Sequence, residues 1–493
     1  MASLSFKRLP LYVTLLMGLP TVTLAAPGPS PPPCAVGMTA DTMLPAADPY
    51  PLLAAGWGPE LGHGAMVSRW AERWLGAEAS PCAPASKSIA LAHDWRLTPS
   101  AEVRLRDVST ANKGLVPGAR IDQKQLRAIL GAELHLTPRL RFFGEIGSGQ
   151  VDRDRGDTPA NFQNRIALQQ LFVDANGTSG PLVFGAMAGR QEFSDGPRQL
   201  ISLSDGPNLH RNWNGIRAYL HAPRFRVGAF ELRATRFGSG SFDDGVLENT
   251  ILRGANASIV VSPEGRTDSF LDPFWFHTEI PGIGPNTTNT VDRRDTYGLR
   301  LWGHQGTLRW DWTAVGQSGR TIANRRIDAL ALFAVQSLSL SETGWKPRLT
   351  SHLDIASGDH RTGDHRSRTF HPLYASSNYL GEGQFLGLSN LVLFAPGVSL
   401  TPGRNARVSF EYAHARRLRE DDAVYAGGFR AYAGTQGTPG RHIGNLSRLS
   451  ITWQPSHRLS FDLNAEHLEA GRVLQDAGFD DGTQIQFTTT YRY

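Results

Sequence analysis

Lysine is almost missing from this chain. Only five of the 50 basic side chains among 493 residues are lysine, so the formal charge of +5 is carried by arginine. Two causes can act together here: a GC-rich genome, and the planar guanidinium fork, which grips carboxylate or phosphate at two points. Cysteine is scarce too. Cys34 and Cys82 are the only two, with no CxxC and no Cys/His zinc spacing, so a zinc site is excluded while a disulfide is permitted but not required. After the first 25 residues no apolar run approaches the roughly 20 residues of a membrane helix. There is no GxSxG elbow, no HExxH and no P-loop, which leaves no hydrolase, zincin or nucleotidase signature; the chain is expected not to be an enzyme. The basic residues alternate along the chain rather than forming one patch, which argues against nucleic acid.

What is present begins with a stretch expected to be a signal peptide, residues 1–25. Lys7 and Arg8 form its charged end, Leu9 to Leu24 its apolar stretch, and Thr23-Leu24-Ala25 its cleavage site. An extension follows, 26–100, read as periplasmic. Pro27 to Cys34 is proline-rich and cannot pack a core. Ala65 to Ala77 has the spacing of one short helix, with Trp70 and Trp74 on a shared face beside Arg69 and Arg73. A plug or a periplasmic contact is the alternative; the preferred expectation is a flexible leader with one stray helix.

From Ala101 to Tyr493 the period becomes two. Val103 and Leu105 oppose Glu102, Arg104 and Arg106. Leu308, Trp310 and Trp312 oppose Arg309, Asp311 and Thr313. Val408, Phe410 and Tyr412 oppose Arg407, Ser409 and Glu411. In the last segment Ile485, Phe487, Thr489, Tyr491 and Tyr493 oppose Gln484, Gln486, Thr488, Thr490 and Arg492. A soluble sandwich also alternates, but it does not carry charge on nearly every strand of one face and cluster Trp and Tyr near strand ends on the other. The pattern predicts an all-β transmembrane antiparallel barrel in the cell outer membrane, apolar to lipid and polar to a lumen. Short Pro-bearing turns such as Leu136-Thr137-Pro138 and Gln454-Pro455-Ser456 alternate with long polar segments such as Glu192 to Trp213 and Ser357 to Gly383. Short periplasmic turns and long extracellular loops are the expected asymmetry. About eighteen strands are predicted; without a hairpin at 251–261 and 268–278 the number is sixteen.

Several motifs resemble the alginate-export family of bacterial outer-membrane barrels. They are Asn164-Arg165, Leu168 to Asp174 (LQQLFVD), Gly189 to Glu192, Gln199-Leu200, Gly206-Pro207-Asn208, Arg211 and Asn214 to Arg217. Asp295 to Arg300, Trp345 to Arg348, Asp354 to Asp359 and Thr369 to Tyr374 also fit. The resemblance implies an eighteen-stranded pore with an arginine-rich constriction that passes a polyuronate outward. Arg165, Arg190, Arg198, Arg211, Arg217, Arg300 and Arg348 are the expected lumen arginines, with Glu192, Asp354 and Asp359 interleaved to hold them. The bland reading of each arginine is a structural ion pair in the wall.

No cofactor is expected. Asp243-Asp244 and Asp480-Asp481 precede glycine and read as turns rather than weak calcium sites; His360, His365 and His371 read as a solvated loop rather than a metal site. The expected partners are an anionic polysaccharide, outer-membrane lipid and periplasmic secretion-complex proteins, with the barrel itself a monomer. A diffusion porin for small anionic or sugar-acid solutes is the alternative. A barrel closed by its own loops is a third reading.

Overall fold

The computed structural model describes residues 67–72, 74, 86–91, 94–152, 158–196, 199–262, 267–282, 291–361 and 363–493. The signal peptide, Cys34, Cys82 and Arg198 lie outside the described residues.

Eighteen antiparallel strands close on themselves. In chain order they begin with β1 Arg96–Ala111, β2 Arg120–Thr137, β3 Leu140–Val151, β4 Asn164–Ser179, β5 Leu182–Glu192 and β6 Asn212–Ala222. There follow β7 Phe225–Arg236, β8 Gly245–Ser262, β9 Thr267–Pro281, β10 Val291–Gln305, β11 Leu308–Arg320 and β12 Arg326–Ser339. The last six are β13 Arg348–Ala356, β14 Leu391–Gly403, β15 Ala406–Arg416, β16 His442–Ser456, β17 Leu459–Ala470 and β18 Gly482–Arg492. Each pairs with its chain neighbours, and β18 pairs with β1 from Glu102↔Arg492 to Ala111↔Thr483. Ala101 and Tyr493 exchange backbone hydrogen bonds at 3.0 and 2.8 Å. Closure leaves no ladder edge unpaired in hydrocarbon, where an orphan amide costs several kcal/mol. The hairpin in doubt from sequence is β8–β9, and it completes the eighteen.

The alternation works as read from the sequence. Leu105, Leu130, Leu171, Ile216, Leu330 and Phe394 are exposed on the outside. So much apolar surface is stable only against lipid. Trp345, Trp453 and Tyr491 are exposed near one rim, where amphipathic rings suit the interface. At that rim the connections 138–139, 180–181, 223–224, 306–307, 404–405 and 457–458 are two residues long. The opposite, extracellular rim carries the long loops, chief among them 193–211, 357–390 and 417–441.

The inner wall has two halves that no single period reveals. Toward the long-loop rim, β12 turns Ile327, Ala329, Ala331 and Phe333 inward, β14 turns Leu391, Leu393 and Ala395, and β17 turns Leu468 and Ala470. Toward the short-turn rim the inward residues of neighbouring strands become Ser399, Ser409, Ser450, Thr452, Asp462 and Asn464. The apolar half is covered by Phe193, Leu200 and Ile201 of loop 193–211, by Phe370, Leu380 and Phe385 of loop 357–390, and by Val424 and Tyr432 of loop 417–441. The long loops therefore fold into the barrel rather than out into solvent, because that is where their apolar side chains find a partner surface.

The extension also departs from expectation. Arg69–Ala71 is a single 3-10 turn flanked by extended residues, not part of a longer helix. It lies inside the barrel, with Trp70 packed among Phe143, Phe172, Met187 and Tyr219.

Candidate functional site

Two loops held against opposite walls enter the lumen. Loop 193–211 crosses the barrel. At one end Asp195 accepts a hydrogen bond from Asn256 of β8 at 2.9 Å. At the other, the turn-forming run Ser204 to Asn208 presents its oxygens to three arginines. Arg104 donates to Asp205 Oδ1 at 3.0 Å and to the Pro207 carbonyl at 2.6 Å, Arg106 donates to the Gly206 carbonyl, and Arg127 donates to Asp205. Arg127 is fully buried and also pairs with Glu102, which takes Arg492 Nε at 2.7 Å. His210 bridges Glu192 at 2.6 Å and Asp205 at 2.7 Å. Against the cost of burial, the Arg127 and Arg104 guanidiniums and the His210 ring hold the Asp205 carboxyl well below the usual carboxylate range. Burial and Arg127 lower His210, but Glu192 and Asp205 outweigh them and push it up to about 9.

Loop 357–390 meets this loop near the middle. Ser202 N–H donates to the Tyr374 carbonyl at 3.1 Å and Tyr374 N–H to the Leu200 carbonyl at 2.8 Å. Gln199 Nε2 donates to the Tyr379 hydroxyl at 3.1 Å. On the far wall Glu466 of β17 accepts the Glu382 and Gly383 amides at 2.7 and 2.8 Å. Between loop and wall lies a cavity of about 330 Å³ lined by Asp311, His352, Asn378, Tyr379, Arg448 and Asn464, with Glu382 and Glu466 beside them. It is rich in planar amides, an imidazole and a phenol, groups that bind sugar hydroxyls. Its arginine, Arg448, pairs with Glu411.

Below this belt, at the short-turn mouth, Arg348 of β13 and Arg407 of β15 point inward, opposite in alternation to the exposed Leu349 and Phe410. Neither has an ion-pair partner among the described residues.

A family model described as alginate export matches residues 96–487. The chain belongs to the alginate-export family. A search of curated proteins gave no match. Among solved structures, three porins of Pseudomonas aeruginosa show the same fold. OpdK with vanillate is 13% identical, covers 80% of this chain and 98% of its own, and has a TM-score of 0.52. OccK8 (OprE) is 12% identical over 80% and 98%, with a TM-score of 0.53. OccK2 (OpdF) in complex with glucuronate is 12% identical over 80% and 96%, with a TM-score of 0.51. This alginate-export barrel is therefore an outer-membrane pore.

The sequence-predicted lumen residues of this alginate-export barrel divide. Arg300 faces inward but is saturated: it donates to both oxygens of Asp311 at 2.8 and 2.7 Å and to Asp272 at 3.2 Å, over the Trp302 ring. Arg217 faces inward, donating to Gln191 at 2.5 Å. Arg211 is a clasp between loops, donating to the Ser202 carbonyl at 3.2 Å and lying over Tyr374; burial pulls it down to about 10. Glu192 is buried with His210, and Asp354 is buried with His352 Nδ1 at 3.5 Å.

Three placements are corrections. Arg190 is on the outward side of β5 with exposed Phe184 and Ala186, donating to Asn214 at 2.9 Å, while Met187 and Gln191 take the lumen. Arg165 is exposed at the long-loop end of β4. Asp359 is tied to Arg325 at 2.5 Å and to Arg368 at 3.4 Å, within the long-loop region rather than on the lumen wall. The belt is arginine-rich: Arg104, Arg127 and Arg300 are held by carboxylates, whereas Arg106 and Arg211 donate to backbone carbonyls. His371 is half-buried rather than solvated, and desolvation, with Arg294 nearby, lowers it to about 3.

Sequence reasoning missed Asp205, His210, Arg104, Arg106 and Arg127 as a unit. The inward parity of Arg104 and Arg106 was legible; their partner, about a hundred residues away in a loop, was not.

Proposed function

We propose that this barrel exports an anionic exopolysaccharide, a polyuronate first, with the periplasmic mouth as its entrance. Family membership supports the cargo class. The observation that carries the direction is the pair Arg348 and Arg407, two inward guanidiniums at the short-turn mouth with no ion pair among the described residues. They attract carboxylates there. The belt above holds hydroxyls through Asn378, Asn464, His352 and Tyr379, while Glu411 and Glu466 weaken any grip on a carboxylate. A chain can then move, since no single site retains it. Passage requires loops 357–390 and 417–441 to swing from the apolar half of the wall.

One observation favours a second reading. The belt cavity of about 330 Å³ accommodates a single sugar ring more readily than a polymer, which suits a porin for small sugar acids; one structural neighbour is in complex with glucuronate.

Single-channel recording in planar bilayers separates them. Anion-selective current blocked by oligomannuronate, with loss of polymer secretion on gene deletion, supports export. Block by glucuronate alone supports the porin. Absence of current in every loop variant overturns both.

A further inference from the structure

The periplasmic half of the inner wall is polar almost everywhere. Among the described residues, its clustered apolar side chains, apart from the stacked pair Phe270 and Trp302 with Val260, form one patch on β3 to β6: Phe143, Phe172, Met187 and Tyr219. In a water-filled lumen such a patch is costly unless something covers it. Trp70 of the N-terminal extension covers it, 9% exposed, edge-on to Phe172 with ring centroids 6.2 Å apart.

The seat is built for an indole. The Arg141 and Arg217 guanidinium carbons lie 5.7 and 5.2 Å from the Trp70 ring centroid, within cation–π range. Arg141 also donates to the Trp70 carbonyl at 3.0 Å while fixed by Glu133 at 2.7 Å and Asp174 at 2.9 Å. The flanking residues are held as well. Ser68 hydrogen-bonds Glu192 above, and Arg69 reaches the Tyr493 carbonyl. Arg69 pairs with Glu72 at 2.8 Å, and Lys87 lies 3.6 Å from the same carboxylate. Through Glu192 the segment continues into His210 and loop 193–211, so this side of the lumen is filled along its length.

We infer that residues 67–72 are an internal plug, docked by Trp70, that narrows the pore from the periplasmic side and must leave for full conductance. The Arg141 and Arg217 faces it covers are then turned to the lumen.

The test uses the full mature chain with Cys34 and Cys82 changed to serine, reconstituted in bilayers. Trp70→Ala is expected to raise single-channel conductance by roughly two-fold or more, with Trp70→Phe intermediate, since a smaller ring retains part of the contact. In parallel, Ser68→Cys is expected to react slowly with an impermeant maleimide, and at least about ten-fold faster once Trp70→Ala is added, as a docked contact opens. Heat-modifiable gel mobility checks that each variant remains a folded barrel. Rapid labelling of Ser68→Cys in the Trp70-containing protein, or unchanged conductance and labelling in folded Trp70→Ala, overturns the plug. The labelling arm reads the plug even in a barrel that carries no current, so failure of the export reading is distinguishable.

Discussion

The two halves of the inner wall differ more than the inner and outer faces do. On β12 the residues Ala329 to Phe333, toward the long loops, are buried when inward and exposed to lipid when outward, yet apolar on both sides. Half a strand further on, the inward residues are Ser337 and Ser339. The first half behaves as a protein core and draws the loops in. The second behaves as a channel wall. A pore of this kind closes by folding, with its loops buried as any core segment is, and selects cargo where its wall is wet.

The largest effect expected from breaking this contrast lies at the buried end. Arg127→Ala removes the fully buried guanidinium shared by Glu102 and Asp205, leaving buried Glu102 with Arg492 alone, and is expected to cost about 3 kcal/mol, read as a lower urea midpoint for loss of the folded barrel band. Arg407→Ala, at the wet end, is expected to stay within about 0.5 kcal/mol. If the two variants unfold together, the division between structural and lumen arginines is wrong.

Next comes Phe333→Ala. Its ring meets Phe370 of loop 357–390 at a centroid distance of 5.9 Å. Losing it is expected to cost about 3 kcal/mol, concentrated in loop docking, so the channel should spend longer open in bilayer recordings. A stability loss with unchanged gating would detach the loop from the gate.

Arg348→Gln with Arg407→Gln is expected to reduce the anion-to-cation permeability ratio by about two- to ten-fold with no change in unfolding. Reversal potentials across a salt gradient read it. An unchanged ratio would move selectivity up to the belt.

The smallest effect is with pH. His210 is raised from 6.5 to about 9. A raised pKa on a base means its contribution is fully present below pH 6.5 and is lost as pH rises through about 9. Loop 193–211 should therefore loosen on alkalinisation, seen as faster amide exchange at its backbone. Exchange that is flat from pH 6 to 10, after correction for intrinsic rates, would remove His210 from the loop's support.

Much of this was legible in the residues. The chain's clearest strand, Gln484 to Tyr493, was readable because lipid and lumen make opposite demands on alternate positions, and β-pleating alone converts that into a period of two. Inward parity of Arg300 and Arg217 followed from the same rule. Arg190 defeated the reading because one residue of register separates lumen from lipid, and an arginine near the rim is tolerated on either side. The inward apolar stretch on β12 was visible only as a loss of alternation. Its meaning depends on the loop residues that cover it, such as Phe370 against Phe333, not on its own sequence.

The amino-acid sequence by itself determined the barrel, its alternation of short turns and long loops, and its family, because these depend on local patterning and on motifs; the β8–β9 hairpin, and with it eighteen strands rather than sixteen, needed the structure. The tertiary structure decided which arginines are spent on Asp205, Asp311 and Glu411 and which remain at the mouth, that the long loops turn inward, and that Trp70 sits in the lumen. Those outcomes rest on pairings between distant segments, and no local rule specifies which buried charge or ring a distant segment will meet.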